Sequence, residues 1–130
     1  MKIFRAAQIP SEAGDVKTFT GDVVRTTLAS DKAGTPVNVY RVEFSPGART
    51  HWHTHDQGQI LVVTSGGGRA RSRDGSGGRL APGDVVWIPP GEEHWHGADA
   101  DSYMVHLAIS LGGHDWLDPV TDEEYEEGWS

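Results

Sequence analysis

Turn residues cut this chain into pieces too short for anything but strands. Its 130 residues include 17 glycines and 7 prolines. These gather at Ser45-Pro46-Gly47, Ser65-Gly66-Gly67, Asp74-Gly75-Ser76-Gly77-Gly78, Pro82-Gly83-Asp84 and Pro89-Pro90-Gly91. Glycine opens positive φ and proline removes a backbone donor, so each cluster ends the element before it. The stretches between are brief and rich in β-branched and aromatic residues. They predict strands near Val23–Leu28, Val37–Phe44, Gln59–Thr64, Gly68–Arg73, Val85–Ile88 and Tyr103–Leu111. Short strands at near-regular spacing make a sandwich or a barrel. The expected fold class is all-β, in one domain over residues 1–130. One helix is expected, near the C-terminus: Thr121-Asp122-Glu123-Glu124 has the capping-box pattern, and Gly128 would end it.

Composition removes several function classes. The chain has no cysteine, which excludes thiolate metal sites, disulfides and cysteine nucleophiles together. A formal net charge of −8 argues against nucleic acid, whose phosphates need a basic face. No apolar run approaches the roughly 20 residues of a membrane helix, and Met1-Lys2-Ile3-Phe4-Arg5 opens no apolar signal region. A cytoplasmic protein is expected. The acidic stretch from Asp115 to Glu127 reads as solvated surface. Arg69-Ala70-Arg71-Ser72-Arg73 reads as the solvent side of a strand.

Five of the 7 histidines fall in two stretches, Thr50–Gln59 and His94–His96. Side chains two apart on a strand point the same way, so His51, His53 and His55 can converge. Convergent imidazoles beside a side-chain oxygen suit a divalent transition metal. Gln57 and Gln59 both offer that oxygen, and parity does not separate them, because Gly58 can bend the chain between. His51 is expected at a rim or on the surface. His94 follows Pro89-Pro90-Gly91, which would aim it inward from a loop, and His96 shares its face. Met104, His106, Ala108 and Ser110 share one face of their strand. A histidine among such small or soft neighbours suggests a wall with space before it. Tyr40, Val42 and Phe44 form the apolar face of theirs, the first two expected on a pocket wall. Trp52, Trp87 and Trp95 read as packing.

Turns and histidines together resemble the cupin family. The first family motif reads Gly47, five residues, His53, Thr54, His55, three residues, Gln59, then six residues to Gly66. The second reads Gly83, five residues, Pro89, Pro90, Gly91, two residues, His94. The motifs occupy residues 47–66 and 83–98, and the spacing selects Gln59. The family usually carries Glu where this chain has Gln59, and Asn where it has Ala98. A narrower likeness is to the small manganese cupins with hydroxynitrile lyase activity. It is carried by Pro46–Thr50, Trp52–His55, Gly58-Gln59, Pro82–Trp87, His94–Ala98, His106–Ile109, Asp115-Trp116 and Val120–Glu123.

The resemblance implies a jelly-roll β-barrel with a metal in its mouth, held by His53, His55, Gln59 and His94. Mn2+ is the expected ion, with Fe2+, Co2+, Ni2+ or Zn2+ as alternatives. His96 and His106 would be catalytic, and Tyr40, Val42 and Ser110 would line the substrate pocket. A homodimer or homotetramer is implied. Four neutral donors would leave a divalent ion its full charge, favouring Lewis-acid chemistry over redox cycling. The expected function is reversible cleavage of a cyanohydrin to aldehyde and HCN, with His96 or His106, near its ordinary pKa, moving the proton. Dioxygenase-type oxidative cleavage and non-enzymatic metal or small-ligand binding are the alternatives.

Overall fold

A computed structural model of the chain describes residues 1–127. The expected helix stop at Gly128 lies outside them. In chain order the strands are β1 (Ser11–Ala13), β2 (Phe19–Thr20), β3 (Val23–Ala29), β4 (Asn38–Phe44), β5 (Arg49–Thr50), β6 (His53–His55) and β7 (Gln59–Gly66). They continue with β8 (Gly68–Ser72), β9 (Gly77–Leu80), β10 (Val85–Ile88), β11 (His94–Ala98), β12 (Met104–Ser110) and β13 (His114–Trp116), and helix α1 (Asp122–Glu126) follows. All strand pairing is antiparallel. One sheet runs β1-β3-β4-β12-β7-β10, and the other runs β13-β6-β11-β5-β2 with β8 and β9 joined through β11. No helix among the described residues is long and apolar enough to cross a membrane.

The two sheets pack face to face, and strand alternation decides what lies between them. On β12, Met104, His106, Ala108 and Ser110 point inward and are buried, while Val105, Leu107 and Ile109 alternate outward. On β4, Val42 and Phe44 are buried on the inner face beside the partly buried Tyr40. The floor is apolar: Phe19, Val23, Val42, Phe44, Val63 and Met104 form one cluster, and Leu61, Ile88 and Ala108 another. Fully burying side chains of this size contributes about 1.5–3 kcal/mol each. Between Val105 and His106 the pairing of β12 with β7 slips, so Val105 faces Ser65 and His106 faces Val63. The extra residue is Thr64, so the bulge lies in β7, and β12 keeps its inward alternation through His106.

A second core lies outside the other sheet, under α1. Trp52, Trp95, Val120 and Tyr125 are buried together. The capping box forms, with Thr121 Oγ1 accepting from Glu124 N at 3.1 Å and Glu124 Oε1 accepting from Thr121 N at 3.0 Å. A five-residue helix is not stable alone, so tertiary contacts must hold it. Tyr125 donates its hydroxyl to the Ala98 carbonyl at 2.6 Å. The guanidinium carbons of Arg49 and Arg69 lie 4.6 and 4.4 Å from its ring centre. Arg69 is only 4% exposed, because β8 turns it toward α1, where Asp99 Oδ1 accepts at 3.1 Å and the Tyr125 carbonyl at 3.1 Å. The solvent-side reading of the basic run is therefore wrong at Arg69. The acidic stretch is mostly exposed, yet Asp122 pairs with Arg49 at 2.8 Å and Glu124 with Arg73 at 3.3 Å.

Three further expectations are corrected. Trp87 is 54% exposed on the outer face of β10 rather than packed inside, since Val86 and Ile88 take the inward positions. His51 is buried rather than on the surface, and Thr18 O, just before β2, accepts its backbone N–H at 2.8 Å. The Asp74–Gly78 turn is shorter than expected, since β9 begins at Gly77 and pairs with β8.

Candidate metal centre

The inner faces of both sheets wall a cavity of about 190 Å³ that opens at one end of the sandwich. β6 supplies His53 and His55, β7 begins at Gln59, β11 supplies His94 and His96, and β12 supplies His106 and Ser110. His94 opens a strand rather than standing on a loop, and its register opposite His53 across the β6–β11 pair brings the two rings together. Their centroids are 4.2 Å apart, with His53–His55 at 5.1 Å and His55–His94 at 5.8 Å. Ring nitrogens of His53, His94 and His96 all lie within 4.8 Å of one another, a group able to hold a metal ion. Gly58, at φ +94°, turns the chain so that Gln59 is 3% exposed while Gln57 is at the surface.

Backbone carbonyls set which nitrogen of each ring is free. His53 Nδ1 lies 2.9 Å from His51 O, and His94 Nδ1 lies 2.8 Å from Glu92 O. A carbonyl accepts only from N–H, so both neutral rings carry the proton on Nδ1 and a lone pair on Nε2. His94 Nε2 then faces Gln59 Oε1 at 3.1 Å, while Gln59 Nε2 donates to Ser110 Oγ at 3.1 Å. In this amide orientation two acceptors face each other, an arrangement a cation satisfies. Both ring nitrogens of His55 are buried without a hydrogen-bond partner, and so is His96 Nε2. Neutral imidazole and amide-oxygen donors are the set a borderline divalent ion takes, so the group fits a metal.

His96 and His106 form a second layer below. His106 Nε2 and His96 Nδ1 are 2.9 Å apart, and both rings pack against Phe44, His96 edge-on and His106 tilted. Burial pushes every one of these imidazoles down from its ordinary 6.5. For His53 and His96 burial acts first and neighbouring histidines second, and both fall well below it. His106 is pushed to about 4 by burial. His55 reaches about 4 through burial, then His94 and His114, slightly offset by the Gln59 side chain. His94 falls through burial, partly offset by the Glu92 carbonyl and carboxylate. The expectation that His96 or His106 sits near its ordinary pKa is corrected: both rings are deeply buried, which penalises the charged form.

Tyr40, Val42 and Ser110 line the cavity, together with Arg25, Asn38, Thr50, His114 and Trp116, which the sequence reading did not single out. Strand parity held the signal for Arg25. It faces Val42 in register across β3–β4, so it shares the inner face.

A small antiparallel sandwich holding an imidazole-lined cup defines the class, and residues 40–110 match the cupin domain. The chain belongs to the cupin family. It is 46% identical over 129 residues to a protein named (R)-mandelonitrile lyase from Granulicella tundricola, covering 96% of this chain and 98% of that one. A 78-residue stretch is 31% identical to an acireductone dioxygenase of Bacillus pumilus, covering 58% of this chain and 44% of that one. A cupin-like protein of Thermotoga maritima superposes with a TM-score of 0.86 at 46% identity, over 91% of this chain and 92% of that one. The polyketide cyclase RemF of Streptomyces resistomycificus shares the fold alone, with a TM-score of 0.71 at 20% identity over 97% of this chain and 91% of that one.

Proposed function

We propose that the chain is a metal-dependent hydroxynitrile lyase, with His53, His55, Gln59 and His94 holding a divalent ion, Mn2+ first, and His96 carrying the proton. The observation that carries the reading is the near-full-length likeness to a mandelonitrile lyase, joined to a cup whose free nitrogens converge. His55 and His96 each leave a ring nitrogen without a partner, and His55 is preferred as the ligand because it stands in the first cupin motif with His53 and Gln59.

A divalent ion held there supplies Lewis acidity toward an oxygen donor. The rest falls to this chain's side chains. Neutral at pH 7, His96 is a base rather than an acid. With the shared proton on His96 Nδ1, donated to His106 Nε2, its Nε2 presents a lone pair to the cavity. That nitrogen takes the hydroxyl proton of the cyanohydrin, the oxygen's electron pair closes the carbonyl, and the bond to the nitrile carbon breaks. Cyanide leaves with that bonding pair and takes the proton back from the imidazolium as HCN. Val42, Ala108 and Trp116 offer apolar wall to an aryl or alkyl group. The test is elemental analysis of protein purified without added metal, followed by mandelonitrile cleavage on that sample. Undiminished cleavage after chelation overturns the reading. Oxygen uptake with an activated enediol would instead favour the dioxygenase alternative, which the partial likeness to acireductone dioxygenase motivates.

We also propose that a second copy covers the outer face of the β1-containing sheet. Ile60, Val62, Val85, Trp87, Leu107 and Ile109 stand there side by side in register, with Val85 65% exposed. Apolar area of that kind is what homodimer interfaces cover.

A further inference from the structure

Arg25 does not fit a cup built only for a neutral cyanohydrin. Its side chain is half-buried on the inner face of β3 and lines the cavity, its guanidinium 5.5 Å from the Tyr40 ring centre. Ion pairs among the described residues use Arg49, Arg69, Arg73 and Arg79, and none involves Arg25. Two other groups that line the same cavity, Asn38 and Ser110, have donors to spare. Asn38 Oδ1 already accepts from Asp31 N at 3.0 Å, which leaves its amide N–H groups. Ser110 Oγ already accepts from Gln59 Nε2, which leaves its O–H. The one carboxylate lining the cavity, Asp15, accepts from Lys17 N at 2.8 Å and makes no pair with Arg25.

A partly desolvated guanidinium that makes no ion pair, although Glu12 stands opposite it in register on β1, in one cavity with donors that have no acceptor, is complementary to an acceptor-only anion. Guanidinium and carboxylate match as two parallel hydrogen bonds. We propose that the substrate carries a carboxylate in addition to its reacting carbonyl or cyanohydrin carbon, and that Arg25, with Asn38, binds it at the cavity wall. The inference rests on the reading that this cup is the reaction site, and it names the substrate class: an aldehyde or cyanohydrin with a distal carboxylate. Arg25 acts in specificity, with no part in the proton transfer.

The probes are 3- and 4-formylbenzoate against benzaldehyde, with binding followed by calorimetry on the metal-loaded protein at low and high salt. At least one formylbenzoate should bind about tenfold or more tightly than benzaldehyde, and the margin should shrink with salt. Arg25→Met should erase the margin and leave benzaldehyde binding within about twofold, while Arg25→Lys should keep part of it. Arg25→Gln carries the same comparison should Arg25→Met not fold. Equal binding of all three aldehydes by the unaltered protein overturns the proposal, as does a carboxylate preference that survives loss of the guanidinium. Cleavage of mandelonitrile and of its carboxylated derivatives separates this from the reading beneath it. Formylbenzoate bound through Arg25 with neither cyanohydrin cleaved would sink the lyase and keep the anion site. Equal kcat/KM on both cyanohydrins would keep the lyase and sink the anion site.

Discussion

His106 Nε2 lies 2.9 Å from His96 Nδ1, and both rings are almost fully withdrawn from water. Neither imidazole can tilt without breaking the other's hydrogen bond, so the proton on one ring fixes the tautomer of both. In the proposed mechanism His106 would position His96 Nε2. His96→Ala should lower kcat by about a hundredfold to ten-thousandfold, the usual range for a lost acid–base group. His106→Phe should lower kcat less, with KM little changed. Steady-state kinetics on mandelonitrile reads both, and a His106→Phe enzyme with unaltered kcat would remove His106 from the mechanism.

Metal content separates the two ways of closing the donor set. Ring nitrogens of His53, His94 and His96 lie within 4.8 Å of one another, and His55 and His96 both have a partnerless nitrogen, but the motif spacing favours His55 as the ligand. His55→Ala should therefore lose most of its metal, while His96→Ala should keep it and lose turnover. Elemental analysis of both variants after dialysis decides. Metal retained in His55→Ala and lost in His96→Ala would exchange their roles.

Gln59→Glu should bind the ion more tightly and cleave more slowly. A carboxylate adds an ionic bond but neutralises half the ion's charge, weakening it as a Lewis acid. It also gives up the N–H that Gln59 donates to Ser110. Metal retention against a graded chelator series, run beside kcat, tests both halves. Tighter binding with faster cleavage would contradict the charge argument.

The buried imidazoles make the metal-free protein acid-sensitive, and the sign follows from their depressed pKa values. His55 and His106 hold at about 4 when folded, against an ordinary 6.5. Between those pH values the unfolded chain takes up protons that the folded chain refuses. Stability is therefore full above about pH 6.5 and is lost as pH falls toward 4. For His106 alone the displacement corresponds to about 3 kcal/mol. Urea unfolding of chelated protein at pH 7.5 and pH 5 should show the loss, and His106→Phe should show less of it. A midpoint that rises on acidification would show the argument to be wrong.

The strands and the cup histidines were legible because both rest on local rules. Turn glycines and prolines bounded the longer strands to within a residue or two, and period-two alternation put His106 and Ser110 on the inner face. The capping box at Thr121 formed as its sequence requires. What stayed hidden depends on partners distant in the chain. Arg69 looked solvent-facing until α1 packed over it, and His51, expected at a rim or on the surface, is buried. Trp87 looked like core because its size says nothing about which face of β10 it occupies. The depressed pKa values of His96 and His106 come from burial between two sheets, which no motif spacing states.

Trp87 stands on an apolar outer face. Val85 and Val62 are paired across β10–β7, and Val62 and Leu107 across β7–β12, so three apolar side chains form one row on the outer surface. Arg41 and Glu43 stand on the same outer face along β4, one cation and one anion that a two-fold axis could bring into reciprocal pairs. A self-complementary patch of that composition would suit the isologous pairing proposed above. Val85→Lys with Leu107→Lys places two charges in the middle of the row without touching the inner face. Light scattering after size exclusion should find the unaltered chain at twice its monomer mass or more, and the double variant at monomer mass with the cup's metal retained. An unaltered chain that runs as a monomer at micromolar concentration would leave the face without a second copy to cover it.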